Sequence, residues 1–332
     1  MREPAFWWRP TGLASSLLAP IGAAYGAIVA RRMARANARV GVPVLCVGNF
    51  TLGGAGKTPT VMMLARLLQD EGARPYCLSR GYGGSLAGPK TVDVHRDSAA
   101  QVGDEALLLA QVAPTIIARD RLTGAKAAQA AGASVVIMDD GLQNPSLAKD
   151  FTIAVVDGRR GVGNGKLFPA GPLRAPLAAQ LARTHALLIV GEDGGARDVV
   201  AAAGMRGLPV WHCRLVPHTQ AIADLKARKI LAFAGIGDPE KFFAITAAAG
   251  LSVVQRRPFA DHHRYTAEEA GELIMQAEHD GLALLTTEKD RARMAGERLL
   301  GALAMRAHTL PVTMVVEEPD DLRQLVMSRL KR

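Results

Sequence analysis

The chain has 332 residues, 49% of them hydrophobic, and carries 40 Lys and Arg against 31 Asp and Glu, a formal net charge of +9. That length suggests two domains with ample material for buried cores, and the positive balance favours anionic partners. Only 5% of residues are aromatic and none interleave with basic runs, which argues against a nucleic-acid platform; Cys46, Cys77 and Cys213 lack metal or redox spacing and fit a reducing cytosol as small apolar residues.

Residues 10–30 carry no charge; Phe6, Trp7, Trp8 and Arg9 precede them, and Arg31, Arg32, Arg35 and Arg39 follow. A membrane span needs ~20 apolar residues, so length alone permits one. Pro20 in mid-segment and the abundance of Gly, Ala, Ser and Thr argue otherwise. A secretory signal carries its positive charge before the apolar run, not clustered after it. The composition favours a helix or helix pair lying in the membrane interface, with Trp7 and Trp8 at headgroup depth and the arginines on anionic phosphates. A soluble helix packed on the domain is the alternative.

A strand predicted over 42–47 runs into TLGGAGKTPT at 51–60, and a helix is predicted over 57–69. Strand, glycine-rich turn and helix are the context of a phosphate-binding loop, formed here by Thr51, Leu52, Gly53, Gly54, Ala55, Gly56, Lys57 and Thr58. The glycines let backbone N–H groups turn inward around phosphate oxygens. Lys57 can reach the β- and γ-phosphates and the Thr58 hydroxyl can bind Mg²⁺. Thr51 stands where the pattern G-x-x-x-x-G-K-[ST] has its first glycine.

Further on, strands are predicted over 74–79 and 114–118 and helices over 103–111 and 119–131, with a loop or short hairpin over 81–97. An apolar strand over 135–138 then ends in Asp139 and Asp140, the carboxylates that a Mg²⁺–nucleotide site requires as companions to its loop. Strands over 151–157 and 185–190 complete a first unit of alternating β and α elements, hence a parallel sheet covered on both faces. Its ligands belong at the carboxyl ends of the strands. After Pro217 the pattern restarts: strands over 229–234, 251–256, 282–285 and 312–316, and helices over 238–249, 266–280 and 319–330, make a smaller α/β unit. GIGDP, at 235–239, lacks a Lys–Thr pair and reads as a helix N-terminal turn.

Phosphoryl transfer needs an acceptor oxygen held in line and relieved of its proton. Asp104 opens a helix at the ligand edge and reads equally as that base or as a helix N-cap. In PFADHHRYT, Asp261, His262 and His263 suggest acid–base work or a hydrogen-bonded turn; adjacent side chains point apart, so metal binding is the weakest reading. A histidine reaching across from the second unit could orient the base carboxylate. Arg80, Arg119, Arg121 and Arg174 are candidates for a charge clamp on phosphate. TTEKD, at 286–290, does not match the guanine-reading Asn-Lys-x-Asp motif.

Taken in order, VGNFTLGGAGKTP, SRGYGG, VGDEALLLA, MDDGLQ, PAGPLRAP, AGIGDPEKFF, FADHHRYT and TTEKD resemble the tetraacyldisaccharide 4′-kinase family, the lipid A 4′-kinases, along nearly the whole chain. The resemblance implies a P-loop NTPase-like α/β/α sandwich with a second, smaller α/β/α domain joined by a short β-ribbon. It implies Mg²⁺ and ATP, an acylated disaccharide lipid as acceptor, and a peripheral enzyme at the anionic cytoplasmic face of the inner membrane with no obligate protein partner. The corresponding division is an N-terminal interfacial segment at 1–40, a P-loop kinase domain at 41–216 and a smaller domain at 217–332 whose terminal helix can pack back on the first. By position, Asp104 resembles the base that activates the acceptor hydroxyl and His262 its partner. Lys57 and Thr58 resemble phosphate and Mg²⁺ ligands, Asp139 a metal ligand and Asp140 an active-site carboxylate; Arg121 and Arg174 resemble positions tied to activity. Two positions depart: Asn144 follows DDGLQ where the family usually has His, and Ala175 follows Leu-Arg where it usually has Glu. The other class considered is a membrane-recruited partitioning ATPase, whose loop carries a Lys where this chain has Leu52.

Overall fold

The computed structural model describes residues 3–35 and 37–330. Nine strands form the larger sheet: β1 (Val44–Gly48), β2 (Pro75–Ser79), β3 (Lys90–Thr91), β4 (Thr115–Ile117), β5 (Val135–Asp139), β6 (Phe151–Asp157), β7 (Ala186–Val190), β8 (Val210–Pro217) and β13 (Val312–Val316). Between β8 and β13 in the chain, β9 (Lys229–Ala234), β10 (Ser252–Pro258), β11 (Ala283–Thr286) and β12 (His308–Thr309) form a second, parallel sheet ordered β10-β9-β11-β12. The larger sheet is ordered β13-β8-β7-β6-β1-β5-β2-β4-β3, parallel except at its antiparallel edges β13 and β3.

β1, β5, β6 and β7 are buried along their whole length, as expected of strands covered on both faces. On one face the helix Lys57–Asp70 packs Val61, Leu64 and Leu68 onto Leu45, Ile137 and Ile153; Leu322 and Val326 of the terminal helix Pro319–Leu330 join the same core. On the other face the helix Arg121–Ala130 supplies Ala125 and Ala128 beside Cys46, Leu78 and Met138. The smaller sheet has its own cores, around Phe233, Leu273 and Met294 on one side and Ile230, Phe242 and Phe243 on the other.

The strand predicted over 312–316 sits in the second half of the sequence but is the edge of the larger sheet. It pairs with β8, where Val312 meets Pro217 and Val316 meets Cys213. β8 pairs with β7 only as far as Cys213, so 214–217 and 312–315 continue as a two-stranded ribbon into the smaller unit.

After a short 3-10 turn, Ala5–Trp8, the uncharged stretch forms one uninterrupted helix, Leu13–Met33, with Pro20 inside it. It is long and apolar enough to cross a membrane by length and composition. Leu13, Leu17, Ile21 and Ile28 are exposed, while Gly22 and Gly26 bring the helix against Leu167, and Tyr25 meets Phe168 edge-on. The headgroup-depth placement of Trp7 and Trp8 is corrected. Trp7 is 5% exposed and donates its indole N–H to the Pro169 carbonyl. Trp8 lies under the Arg160 guanidinium and donates to Glu3. Both rings are consumed in docking the segment on the protein.

Candidate active site

The turn after β1 leads into the helix Lys57–Asp70 through Gly53 and Gly56, at φ 100° and 98°, a region that glycine alone enters freely. Thr51 needs no such freedom. It forms an antiparallel bridge with Leu173, and its carbonyl accepts from Arg174 Nε at 2.8 Å. The Leu52 N–H donates to the Pro172 carbonyl, so a second loop holds the first. Lys57 Nζ donates to Asn49 Oδ1 and lies 3.7 Å from Asp140 Oδ1. Thr58 is buried in the first helical turn. Loop N–H groups and the end of a 14-residue helix together make an anion cradle.

β5 runs beside β1 with Asp139 opposite Val47, which sets the acidic strand end against the loop. Burial, with Glu105 and Asp140 nearby, pushes the Asp139 carboxyl up to about 7. Its Oδ1 is buried without a hydrogen-bond partner, which is unusual for a carboxylate oxygen unless another ligand completes it. Mg²⁺ binds through one or two protein oxygens together with substrate phosphates and water. Asp139 Oδ1 and the Thr58 hydroxyl fit such a partial shell. Asp140 adopts φ 49°, and Arg174 Nη1 donates to both of its oxygens, at 2.8 and 2.9 Å. Burial alone would raise the Asp140 carboxyl, but Arg174 and Lys57 outweigh it and hold it well below the usual carboxylate range. Arg121 is buried and donates to the Ala118 and Asp139 carbonyls, so its guanidinium braces the strand end from behind.

Asp104 is the first residue of the helix Asp104–Ala110, with Gly103 at the N-cap, so it is not the cap. Its Oδ1 accepts the adjacent Glu105 N–H. Its Oδ2 accepts from Arg293 Nε at 2.6 Å and lies 3.6 Å from His262 Nδ1. Burial works against the charged form, but His262, Arg293 and Lys289 overcome it and keep the carboxyl well below its ordinary range. His262 stands at φ 54° with its ring 4.8 Å from that of Tyr82. Asp140 and His262 are the two non-glycine residues at positive φ among the described residues. His263 turns away, pairs with Glu269 at the start of the helix Ala267–His279 and stacks on Phe259.

These groups share one cleft of about 1160 Å³ between the two sheets. Lys57, Thr58, Asp139 and Asp140 line it from the larger unit and Asp261 and His262 from the smaller; Asp104 stands behind His262. Arg80, Arg119, Arg121 and Arg174 also line it, but Arg121 and Arg174 are committed to the strand end, which leaves Arg80 and Arg119 as the freer cations of the set. Asn144 spends its side-chain oxygen on Ser146, and Ala175 is fully buried. Sequence reasoning passed over Arg293, Lys289 and Glu105. The helix Glu288–Met294 brings Lys289 to Glu105 at 2.6 Å and Arg293 to Asp104. The available signal was TTEKD with an arginine three residues on, one helical turn, so that Asp290 and Arg293 pair on one face.

The family model for tetraacyldisaccharide-1-P 4′-kinase matches residues 14–331. A tetraacyldisaccharide 4′-kinase of Rhodopseudomonas palustris is 53% identical over 333 residues, covering 100% of this chain and 98% of the relative. One from Methylobacterium is 55% identical over 322 residues, 97% of this chain and 95% of the relative. Among solved structures, LpxK from Aquifex aeolicus in complex with ATP superposes with a TM-score of 0.74 at 26% identity, covering 96% of this chain and 100% of that one.

Proposed function

The chain belongs to the tetraacyldisaccharide-1-P 4′-kinase family, and from that premise we propose that it transfers the γ-phosphate of ATP to the 4′-hydroxyl of a tetraacyldisaccharide 1-phosphate in lipid A biosynthesis. The observation that carries this reading is the meeting, in one cleft, of a phosphate-binding loop and His262, which reaches in from the smaller unit backed by the buried Asp104 of the larger. A switch ATPase has no use for the second half of that arrangement.

Loop N–H groups and Lys57 bind the triphosphate, and Asn49 keeps Lys57 extended toward it. Thr58 and Asp139, whose Oδ1 is buried without a partner, would hold Mg²⁺, which would supply charge neutralisation on the phosphates. Asp140, pinned by Arg174, maintains the negative potential that keeps Lys57 oriented. The acceptor hydroxyl enters on the His262 side, and Asp104 and His262 take its proton as one unit, with the imidazole between the cleft and the carboxylate. The walls from both units exclude water, the competing acceptor.

The acylated substrate is met at a bilayer. The exposed Leu13, Leu17, Ile21 and Ile28, followed by Arg31, Arg32 and Arg35, support a peripheral attachment to an anionic surface on the cytoplasmic face of the inner membrane. Radiolabel transfer from ATP to tetraacyldisaccharide 1-phosphate in mixed micelles tests the whole reading. Labelled lipid is expected with the natural chain and none with Lys57→Ala. Release of free phosphate at the same rate with and without lipid would refute it.

A further inference from the structure

We propose that Arg293 is a positioning residue for the proton-accepting pair, fixing Asp104 Oδ2 opposite His262 Nδ1. The inference rests on the reading of Asp104 and His262 as that pair. Three observations carry it. Arg293 Nε and Nη2 both approach Asp104 Oδ2, at 2.6 and 2.5 Å, the same oxygen that lies 3.6 Å from His262 Nδ1. The guanidinium is itself anchored, its Nη1 donating to the Gly235 carbonyl at 2.6 Å and to Asp290 Oδ1 at 2.9 Å. Asp290 is fully buried and fixed in turn by the Gly235 N–H, the Tyr265 hydroxyl and the Thr287 hydroxyl. An arginine held this rigidly spends little entropy in orienting a second carboxylate.

The partition between the units adds to the argument. Asp104 belongs to the larger unit; Arg293, His262 and Gly235 belong to the smaller. The smaller unit therefore supplies both the imidazole and the group that aims the carboxylate at it, and the His262 N–H donates to the same Gly235 carbonyl that receives Arg293. Other charges facing Asp104 are Lys289, on the same helix as Arg293, and Glu105, its neighbour; Asp261 flanks His262. Lys289 is occupied by Glu105, so Arg293 is the cation in direct contact with Asp104.

The sign of its electrostatic effect does not depend on which member of the pair binds the proton. A nearby cation disfavours protonation of a carboxylate and of an imidazole alike, so removing it raises the apparent acid-limb pKa of the pair. The test uses full-length enzyme with kcat, KM for ATP and pH profiles measured on Arg293→Gln, Arg293→Lys, Asp104→Asn and the double variant Asp104→Asn/Arg293→Gln. Arg293→Gln is expected to lower kcat about tenfold or more with little change in KM for ATP, and to move the acid limb upward by about one pH unit. Arg293→Lys is expected to restore the limb. In the Asp104→Asn background, Arg293→Gln should cost little further. An unmoved acid limb in Arg293→Gln, or an equal loss in both backgrounds, overturns the inference while the pair stands. Full activity in Asp104→Asn overturns the pair, and the inference with it.

Discussion

Asp140 and His262 occupy the same sparsely populated backbone region, at φ 49° and 54°, and both line the cleft. Non-glycine residues persist there only where surroundings over-determine them. At Asp140 the surroundings are Arg174 and Lys57; at His262 they are the Gly235 carbonyl, Tyr82 and Asp104. The strain at Asp140 is separable from its charge. Asp140→Ala and Asp140→Gly lose the same carboxylate but differ in tolerance of positive φ. Glycine is expected to be the more stable by about 1 kcal/mol, after its larger unfolded-state entropy is deducted. Both should lose most transferase activity. Thermal unfolding checks the first expectation and the radiolabel assay the second; equal melting temperatures would mean the backbone there is relaxed. The carboxylates themselves were legible in MDDGLQ because an acidic pair at the end of an apolar strand has few other uses. Their opposite electrostatics were not. Burial pushes both up; Asp139 stays raised with Glu105 and Asp140 beside it, while at Asp140 Arg174, arriving from 34 residues away, and Lys57 outweigh burial.

The N-terminal helix shows at the scale of one element what composition conceals. Its apolar residues divide between two faces, one docked and one bare. Gly22 is where the helix docks against backbone: an added Cβ would lie 2.9 Å from the Leu167 backbone oxygen, which has no rotamer to move. Gly22→Val is expected to loosen the helix at a cost of ~1–3 kcal/mol, read as earlier proteolytic cleavage within 13–33. The bare face predicts a different outcome. Fully burying one Leu or Ile side chain is worth ~1.5–3 kcal/mol, so Leu17→Glu with Ile21→Glu should weaken vesicle binding at least tenfold. Melting temperature and ATP binding should stay unchanged, since both side chains are exposed. Undiminished pelleting with anionic vesicles would place the membrane contact elsewhere. A helix at 10–30 was readable from the absence of charge, but the roles of Trp7 and Trp8 were not. An indole near an apolar segment suits a headgroup and a buried carbonyl equally well, and only tertiary structure brings Pro169 to Trp7.

At the scale of the molecule, two units close on one another through charge and through one tight backbone approach. Arg159 and Arg160 pair with Asp238, Lys241 with Asp157 at 2.7 Å and Lys289 with Glu105 at 2.6 Å, and Arg264 donates to the Gly83 carbonyl at 3.0 Å. The parallel core of the larger sheet was legible because its strands are continuous apolar runs. The ribbon was less so: β8 is half-exposed and polar in part, and an apolar strand at 312–316 carries no mark of which sheet it joins. GIGDP reads correctly as a helix N-terminal turn, and its glycines have a further use that sequence does not display. Gly237 lies over the phosphate-binding loop, where an added Cβ would sit 3.0 Å from the backbone nitrogen of Gly54 and 3.5 Å from Asp261 Oδ2. Gly237 is half-buried in the turn between β9 and the helix Pro239–Ala248, so Gly237→Val should disturb closure without disturbing folding. The valine methyls extend beyond the Cβ into backbone that cannot rotate away, so the smaller unit must retreat from the loop. Asp104 would then lose Arg293 and His262 together, since all three contacts need the same approach. KM for ATP is expected to rise and kcat to fall, each by about tenfold, with the melting temperature nearly unchanged. Wild-type kinetics in Gly237→Val would mean that the loop functions without its cover, and that the close packing of Gly237 on Gly54 belongs to architecture alone.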